Sequence, residues 1–308
     1  MLTKTISISK TVLFAILLAG ALLAGCTMNP AGTTPAGENP TDPVSEATNT
    51  PFQPSPTPRP LAARVNGRDI SLAAYQVSLN MLTAADAEQG ITRAEEEQRE
   101  LVLGDLVDRA LLAAAAEASG YTLDEAAVSE RVSQLETEMG GVDALAAWQA
   151  QYGLDRESFV EVLRESELAA WQRDQIISSV PERMEQVHAR QIRVREEETI
   201  QDILGNLNSG AEFGKVARQY DPTTGGDLGW FPRGYLLQPE VEEAAFALQA
   251  GEVSGIIHSQ VGYHLVQVIE REAERELTLE ARAVLQQKAL SAWLDAQRAS
   301  AQVEVLLP

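Results

Sequence analysis

At Val187 the periodicity of this 308-residue chain changes, and that change limits what it can fold into. Upstream, apolar residues recur at helical spacing: Leu103, Leu106, Val107, Ala110, Leu111 and Ala114 form one stripe, and Val128, Val132, Leu135 and Met139 form another. From Val187 to Val194 the spacing is that of a strand. Two short amphipathic helices follow, with Ile200, Ile203, Leu204 and Leu207 on one and Phe213, Val216, Ala217 and Tyr220 on the other. Glycine-punctuated strands come next, then a helix near 240–248, a strand over 261–269 and a helical pattern from about Thr278 to Ser300. One core rarely organises such a length, so the pattern predicts two folded units of an α+β protein, a small antiparallel sheet with surrounding helices inserted between all-helical segments.

Local signals set the helix limits in the first unit. Asn66-Gly67 predicts a tight turn after a short strand, and Ser71 caps the helix that follows. Thr92-x-x-Glu95 and Thr122-x-x-Glu125 read as capping boxes, while Gly120 and Gly140-Gly141 read as stops. Trp148, Phe159 and Trp171 belong either to mutual core packing or to a groove for clients.

Residues 1–60 read as targeting and tether. Lys4 and Lys10 precede an apolar run over residues 11–24 that is too short for a comfortable membrane span. Residues 27–60 are rich in Pro, Thr, Ser and Asn, too poor in apolar groups to offset ordering entropy, and as a coil would reach roughly 30 Å. The net charge of −21 excludes a phosphate backbone as partner, because nucleic-acid binding depends on clustered Lys and Arg. No nucleic acid, metal or cofactor is expected.

Two stretches carry resemblances. Leu23-Ala24-Gly25-Cys26 resembles the lipobox of bacterial lipoproteins, which implies that Cys26, the single cysteine, is lipidated and anchors the chain to the extracytoplasmic face of a bacterial membrane. The alternative is an ordinary buried cysteine. Gly225-Gly226-Asp227-Leu228-Gly229-Trp230-Phe231-Pro232-Arg233-Gly234, then residues 242–248, Gly251-Glu252-Val253-Ser254-Gly255 and Gly262-Tyr263-His264, resemble the parvulin (PpiC-type) rotamase signature. The flanking helical patterns are similar to those of secreted foldase lipoproteins and periplasmic parvulin chaperones.

That resemblance implies a peptidyl-prolyl isomerase and chaperone acting on unfolded secreted polypeptides with X-Pro bonds, with a rotamase over 184–273. Around it would lie a signal peptide (1–25), a tether (26–60), a helical domain (61–183) and a C-terminal helix and tail (274–308) packed on that domain. It implies a polar network of His264, Ser259, Asp221 and Gln191, the last standing where the family usually has a second histidine. It implies a prolyl pocket of Leu228, Phe231, Val241 and Phe246 with either Leu236 or Leu237; one residue is inserted between Gly234 and Val241. His188 and His258 read as ordinary strand residues. Glu196, Glu197 and Glu198 after Arg195 argue against phosphorylated clients. A non-catalytic holdase with a degenerate rotamase and a structural envelope lipoprotein are the other readings.

Overall fold

The computed structural model describes residues 59–307, so the expectations for residues 1–58, Cys26 among them, lie outside it. The described chain forms two compact units, one running to Trp171 and resuming at Ser300, the other spanning Gln172–Ala299.

The first unit opens with β1 (Leu61–Val65) and β2 (Arg68–Ser71), joined through Asn66 and Gly67, both at positive φ as a tight hairpin turn requires. Its helices are α1 (Leu72–Gln89), α2 (Glu95–Ala118), α3 (Glu125–Met139), α4 (Val142–Tyr152) and α5 (Arg156–Ser178), the last running on into the second unit. Ser71 caps α1, its hydroxyl accepting from the Ala74 N–H at 3.2 Å. The two capping boxes do not form. Helix α2 starts from Ala94 with no side-chain cap, and α3 is capped by Asp124, which lies one residue before Glu125 and reaches the Ala127 N–H at 2.8 Å. A carboxylate at the residue adjoining the first turn outcompetes a threonine two positions earlier.

Trp148 packs with Tyr152 and Phe159, and Trp171 stacks on Tyr121 with centroids 4.5 Å apart. These rings therefore lie in packed clusters, where aromatic pairs contribute about 0.5–1.5 kcal/mol beyond burial. The short strand expected before Asn66-Gly67 belongs to a sheet of three strands within the otherwise helical unit. Strand β7 (Val303–Val305), from the end of the chain, pairs antiparallel with β1 to give the order β2-β1-β7. Gln302 and Leu306 add backbone bonds to Asn66 and Ala62.

In the second unit, β3 (Arg183–Val194), β4 (Asp227–Pro232), β5 (Ile257–Ser259) and β6 (Gly262–Glu276) form an antiparallel sheet in the order β4-β3-β6-β5. Helices α6 (Glu197–Asn208) and α7 (Phe213–Tyr220) cover one face through Ile200, Ile203, Phe213 and Ala217 against Ile192 and Leu265. Helix α8 (Pro239–Ala247) covers the other, where Val241, Ala245 and Phe246 meet Val187, Phe231, Val266 and Val268. The strands are longer than their apolar pattern because bulges interrupt it. At the bulge between Met184 and Gln186, the buried Gln186 amide donates to the Arg275 and Glu276 carbonyls, which restores hydrogen bonds the ladder loses there.

Helix α9 (Leu279–Ser300) meets the end of the segment 61–183 on which it was expected to pack: Ala281, Leu285 and Ala289 pack with Val180, Leu277, Met184 and Tyr235, and the Gln286 amide donates to the Ile177 carbonyl. These partners belong to the second compact unit, which begins at Gln172.

Two outcomes follow for stability. Deleting residues 301–308 strips β1 of one neighbour and should lower unfolding stability by on the order of 2–4 kcal/mol through lost ladder bonds and apolar cover; an unchanged urea midpoint would show that β7 contributes nothing. A fragment of residues 184–273 cuts β6 short and removes α9, so its midpoint should lie well below that of residues 172–299. Equal midpoints would contradict the packing of α9 on Tyr235.

Candidate active site

The antiparallel register places Gln191 opposite Val266 and Arg193 opposite His264, so Gln191 and His264 share the α8-covered face of the sheet. His264 is 1% exposed. Its Nδ1 lies 2.9 Å from Gln191 Oε1 and its Nε2 lies 2.7 Å from Ser259 Oγ. An amide oxygen only accepts, so Nδ1 carries the proton and Nε2 accepts from the Ser259 hydroxyl, a single tautomer fixed from both sides. Ser259 sits at the end of β5, and its oxygen accepts in turn from the Val261 N–H at 3.2 Å. Burial pushes the His264 imidazole below its ordinary value, and the nearby Arg193 charge pushes the same way, with a smaller push from His258 and an opposing one from Glu240. The imidazole is therefore neutral at pH 7.

Asp221 occupies the turn after α7. Its carboxylate accepts from the Thr224 hydroxyl at 2.5 Å and from the Thr223 and Thr224 N–H groups, bonds that hold it below the usual carboxylate range. The Thr224 oxygen accepts from the Gly226 N–H, and the Gly226 carbonyl accepts from the Gln191 N–H at 2.8 Å. Asp221 thus reaches the network through backbone, not by touching His264 or Ser259. A Cβ on Gly226, at φ +75°, would stand 1.9 Å from the Gln191 carbonyl oxygen, so only glycine lets this turn lie against β3.

The six apolar positions divide. Phe231, Val241 and Phe246 are 0%, 2% and 4% exposed and pack on one another, the two rings edge to face at 6.0 Å. The resemblance places all three in the prolyl pocket; in the folded chain they are buried, and the Phe246 ring lies under the Arg233 guanidinium, 4.1 Å from its centroid. Leu228 and Leu236 are partly buried against this cluster and form its accessible edge. Gly229 at φ +67° breaks the alternation of β4, so Leu228 joins the same side as Phe231. Of the alternatives, Leu236 packs inward and Leu237 is 87% exposed.

Sequence reasoning missed Glu242. Its carboxylate accepts from three successive backbone N–H groups, those of Gly234, Tyr235 and Leu236, at 2.6, 2.9 and 2.9 Å, which fixes the direction of Leu236. An acidic residue in the first turn of α8, just after a glycine loop, was the available signal. His188 also does more than fill a strand, since its Nε2 lies 2.9 Å from Asp227 Oδ1 and its ring meets Trp230. His258 lies beside Tyr263. Among the described residues no group of three or more His, Cys, Asp or Glu side chains is placed to hold a metal, and no helix is long and apolar enough to cross a membrane.

Residues 176–270 match the PPIC-type PPIASE domain family and residues 52–163 match the SurA-like N-terminal domain family. Foldase protein PrsA of Geobacillus sp. (strain WCH70) is 33% identical over 126 residues, 39% of this chain and 45% of the relative. Foldase protein PrsA of Halalkalibacterium halodurans is 28% identical over 205 residues, 59% and 61% of the two chains. Chaperone SurA of Burkholderia thailandensis is 39% identical over 119 residues, 35% and 26%. The chain spans less than two thirds of the length of each of these relatives. A crystal structure of PrsA from Bacillus cereus covers 76% of this chain and 83% of its own at 21% identity and a TM-score of 0.41. The chain therefore joins a SurA-like N-terminal domain, over residues 52–163, to a PpiC-type peptidyl-prolyl isomerase domain, over residues 176–270.

Proposed function

We propose that this protein isomerises X-Pro bonds in unfolded secreted or envelope polypeptides and chaperones their folding outside the cytoplasm. The observation that carries the reading is the neutral Ser259–His264–Gln191 chain, held on the same sheet face as the cluster edged by Leu228 and Leu236, inside a PpiC-type domain. The names foldase and chaperone borne by the relatives support the cellular role.

The chemistry asks for no nucleophile. An X-Pro bond turns over a barrier of about 18–20 kcal/mol set by amide resonance. Twisting it uncouples nitrogen from carbonyl and reduces charge separation, so an apolar seat favours the twisted state over the planar one. In this reading Leu228 and Leu236 hold the prolyl ring, with Phe231, Val241 and Phe246 as their support. The His264 network shapes the field beneath the bond and passes no proton. Gln191 supplies the acceptor that the pattern otherwise takes from a histidine, and Asp221 holds the turn that fixes the Gln191 backbone.

Proline-limited refolding catalysed by purified residues 61–308 tests the assignment. His264→Ala leaves Ser259 and Gln191 without their shared partner, a loss of about 1–3 kcal/mol in a buried network, and should slow catalysis roughly 10-fold or more. Gln191→His should keep or raise the rate. If the wild type prevents aggregation yet accelerates nothing, the non-catalytic holdase replaces the isomerase.

The pH profile is a separate check. A histidine pushed down by burial stays neutral below its ordinary value of 6.5, so folded protein binds fewer protons than unfolded. The stability tied to this group is complete above that value and is lost as pH falls through the lower folded one. Activity should accordingly stay level from pH 8 to 6.5 and decline only at more acid pH; a decline centred at or above 6.5 would mean that the imidazole is not desolvated.

We also propose that Cys26 carries the lipid anchor, on the strength of the short apolar run that ends in small residues directly before the thiol. Mass spectrometry of membrane-extracted protein should find a diacylglyceryl group on Cys26, and Cys26→Ser should accumulate as unprocessed precursor. Identical processing of the two forms would dismiss the anchor.

A further inference from the structure

The loop between β4 and α8 is gripped from two helices. From α8, Glu242 takes the N–H groups of Gly234, Tyr235 and Leu236. From α9, the Lys288 ammonium donates to the Gly234 carbonyl at 2.5 Å, and Leu285 comes so near Gly234 that a Cβ there would stand 3.2 Å from its Cδ2. Tyr235 continues the contact, packing with Val180, Leu277, Ala281 and Leu285, and burial together with the Glu280 carboxylate pushes its hydroxyl up. The next residue, Leu236, lies on the apolar cluster. Tyr235 lies against that cluster as well, so the segment Gly234–Leu236 links α9 to the apolar cluster.

We propose that α9 is a positioning element for the substrate loop, with Lys288 and Glu242 as the positioning residues that hold Leu236 over the prolyl seat. A carboxylate and an ammonium on opposite sides of one peptide segment fix both its N–H and its carbonyl directions, and charge-assisted bonds are the strong ones. Neither side chain touches substrate, so their effect falls on how well the seat is formed when a client arrives, and hence on KM more than on kcat. The inference rests on the reading of Leu236 as a prolyl contact.

The test uses the folded chain of residues 61–308 and a proline tetrapeptide. In Lys288→Met, amide hydrogen exchange at Gly234, Tyr235 and Leu236 should quicken about tenfold while the β3 and β6 core amides keep their wild-type rates, as loss of one charge-assisted bond from a local unit requires. KM should rise several-fold with kcat within about twofold, and Lys288→Arg, which keeps a donor, should restore both. Glu242→Gln should act in the same direction and further. If Glu242→Gln fails to fold, Lys288→Met and its arginine rescue carry the test alone. Unchanged exchange in the loop, faster exchange throughout the sheet, or a loss confined to kcat would each overturn the clamp. A wild type without isomerase activity would instead remove the functional reading, while the exchange data still decide whether α9 orders the loop.

Discussion

Antiparallel pairing of β3 with β6 brings Gln191 within 2.9 Å of His264 across 73 residues of chain, and the second unit is arranged around that ladder. The two strands are its middle pair, so each is covered on both faces, by α6 and α7 on one side and by α8 on the other. A one-residue slip of β6 against β3 would turn that strand over, sending His264 among the α6 and α7 side chains and Leu265 toward α8. The bulge between Met184 and Gln186 favours one register, because the Gln186 amide meets two particular carbonyls of β6, and on the β4 side Gly226 fits one particular peptide of β3. The polar network is thus a product of register before it is a product of residue identity.

Much of this was legible because the signals are local. Asn66-Gly67, Ser71, the paired glycines at 140–141 and the glycine-rich run before Trp230 each state a backbone geometry that few other residues accept. His264, Ser259 and Gln191 could be gathered from the motif frame alone. What the chain order concealed were contacts that depend on distant partners. Glu242 reads as one more acid in an acidic helix until the loop folds over its carboxylate. Phe231, Val241 and Phe246 were placed in the pocket by resemblance, and their depth of burial, which depends on α8 folding over β4, is written nowhere in the chain order. The choice between Leu236 and Leu237 was undecidable from spacing, since a single inserted residue shifts the frame, and it is fixed only by which amides a carboxylate captures.

The helix limits carry the same lesson on a smaller scale. Both capping boxes fit the residue pattern, and both lose to the geometry of the turn that precedes the helix. At α3 the cap is Asp124, a residue the box motif passes over. Helix α9 shows the limit of amphipathic reasoning: its apolar side announces that a partner exists, and the fold shows that Val180, Leu277, Met184 and Tyr235 supply it.

The last strand has a bearing on how the protein is made. Asn66 meets Gln302 across 236 residues, and β7 completes a sheet whose other two strands are the first elements among the described residues. A polypeptide emerging in order from its N-terminus therefore presents β1 with an open edge until β7, which lies beyond the second unit, has been made. All four strands of the second unit's sheet precede β7 in the chain. Closure of the first unit's sheet therefore waits on a strand that follows the second unit in the chain, and a chain interrupted before β7 would be left with a completed PpiC-type sheet and an unpaired β1 edge open to adventitious pairing.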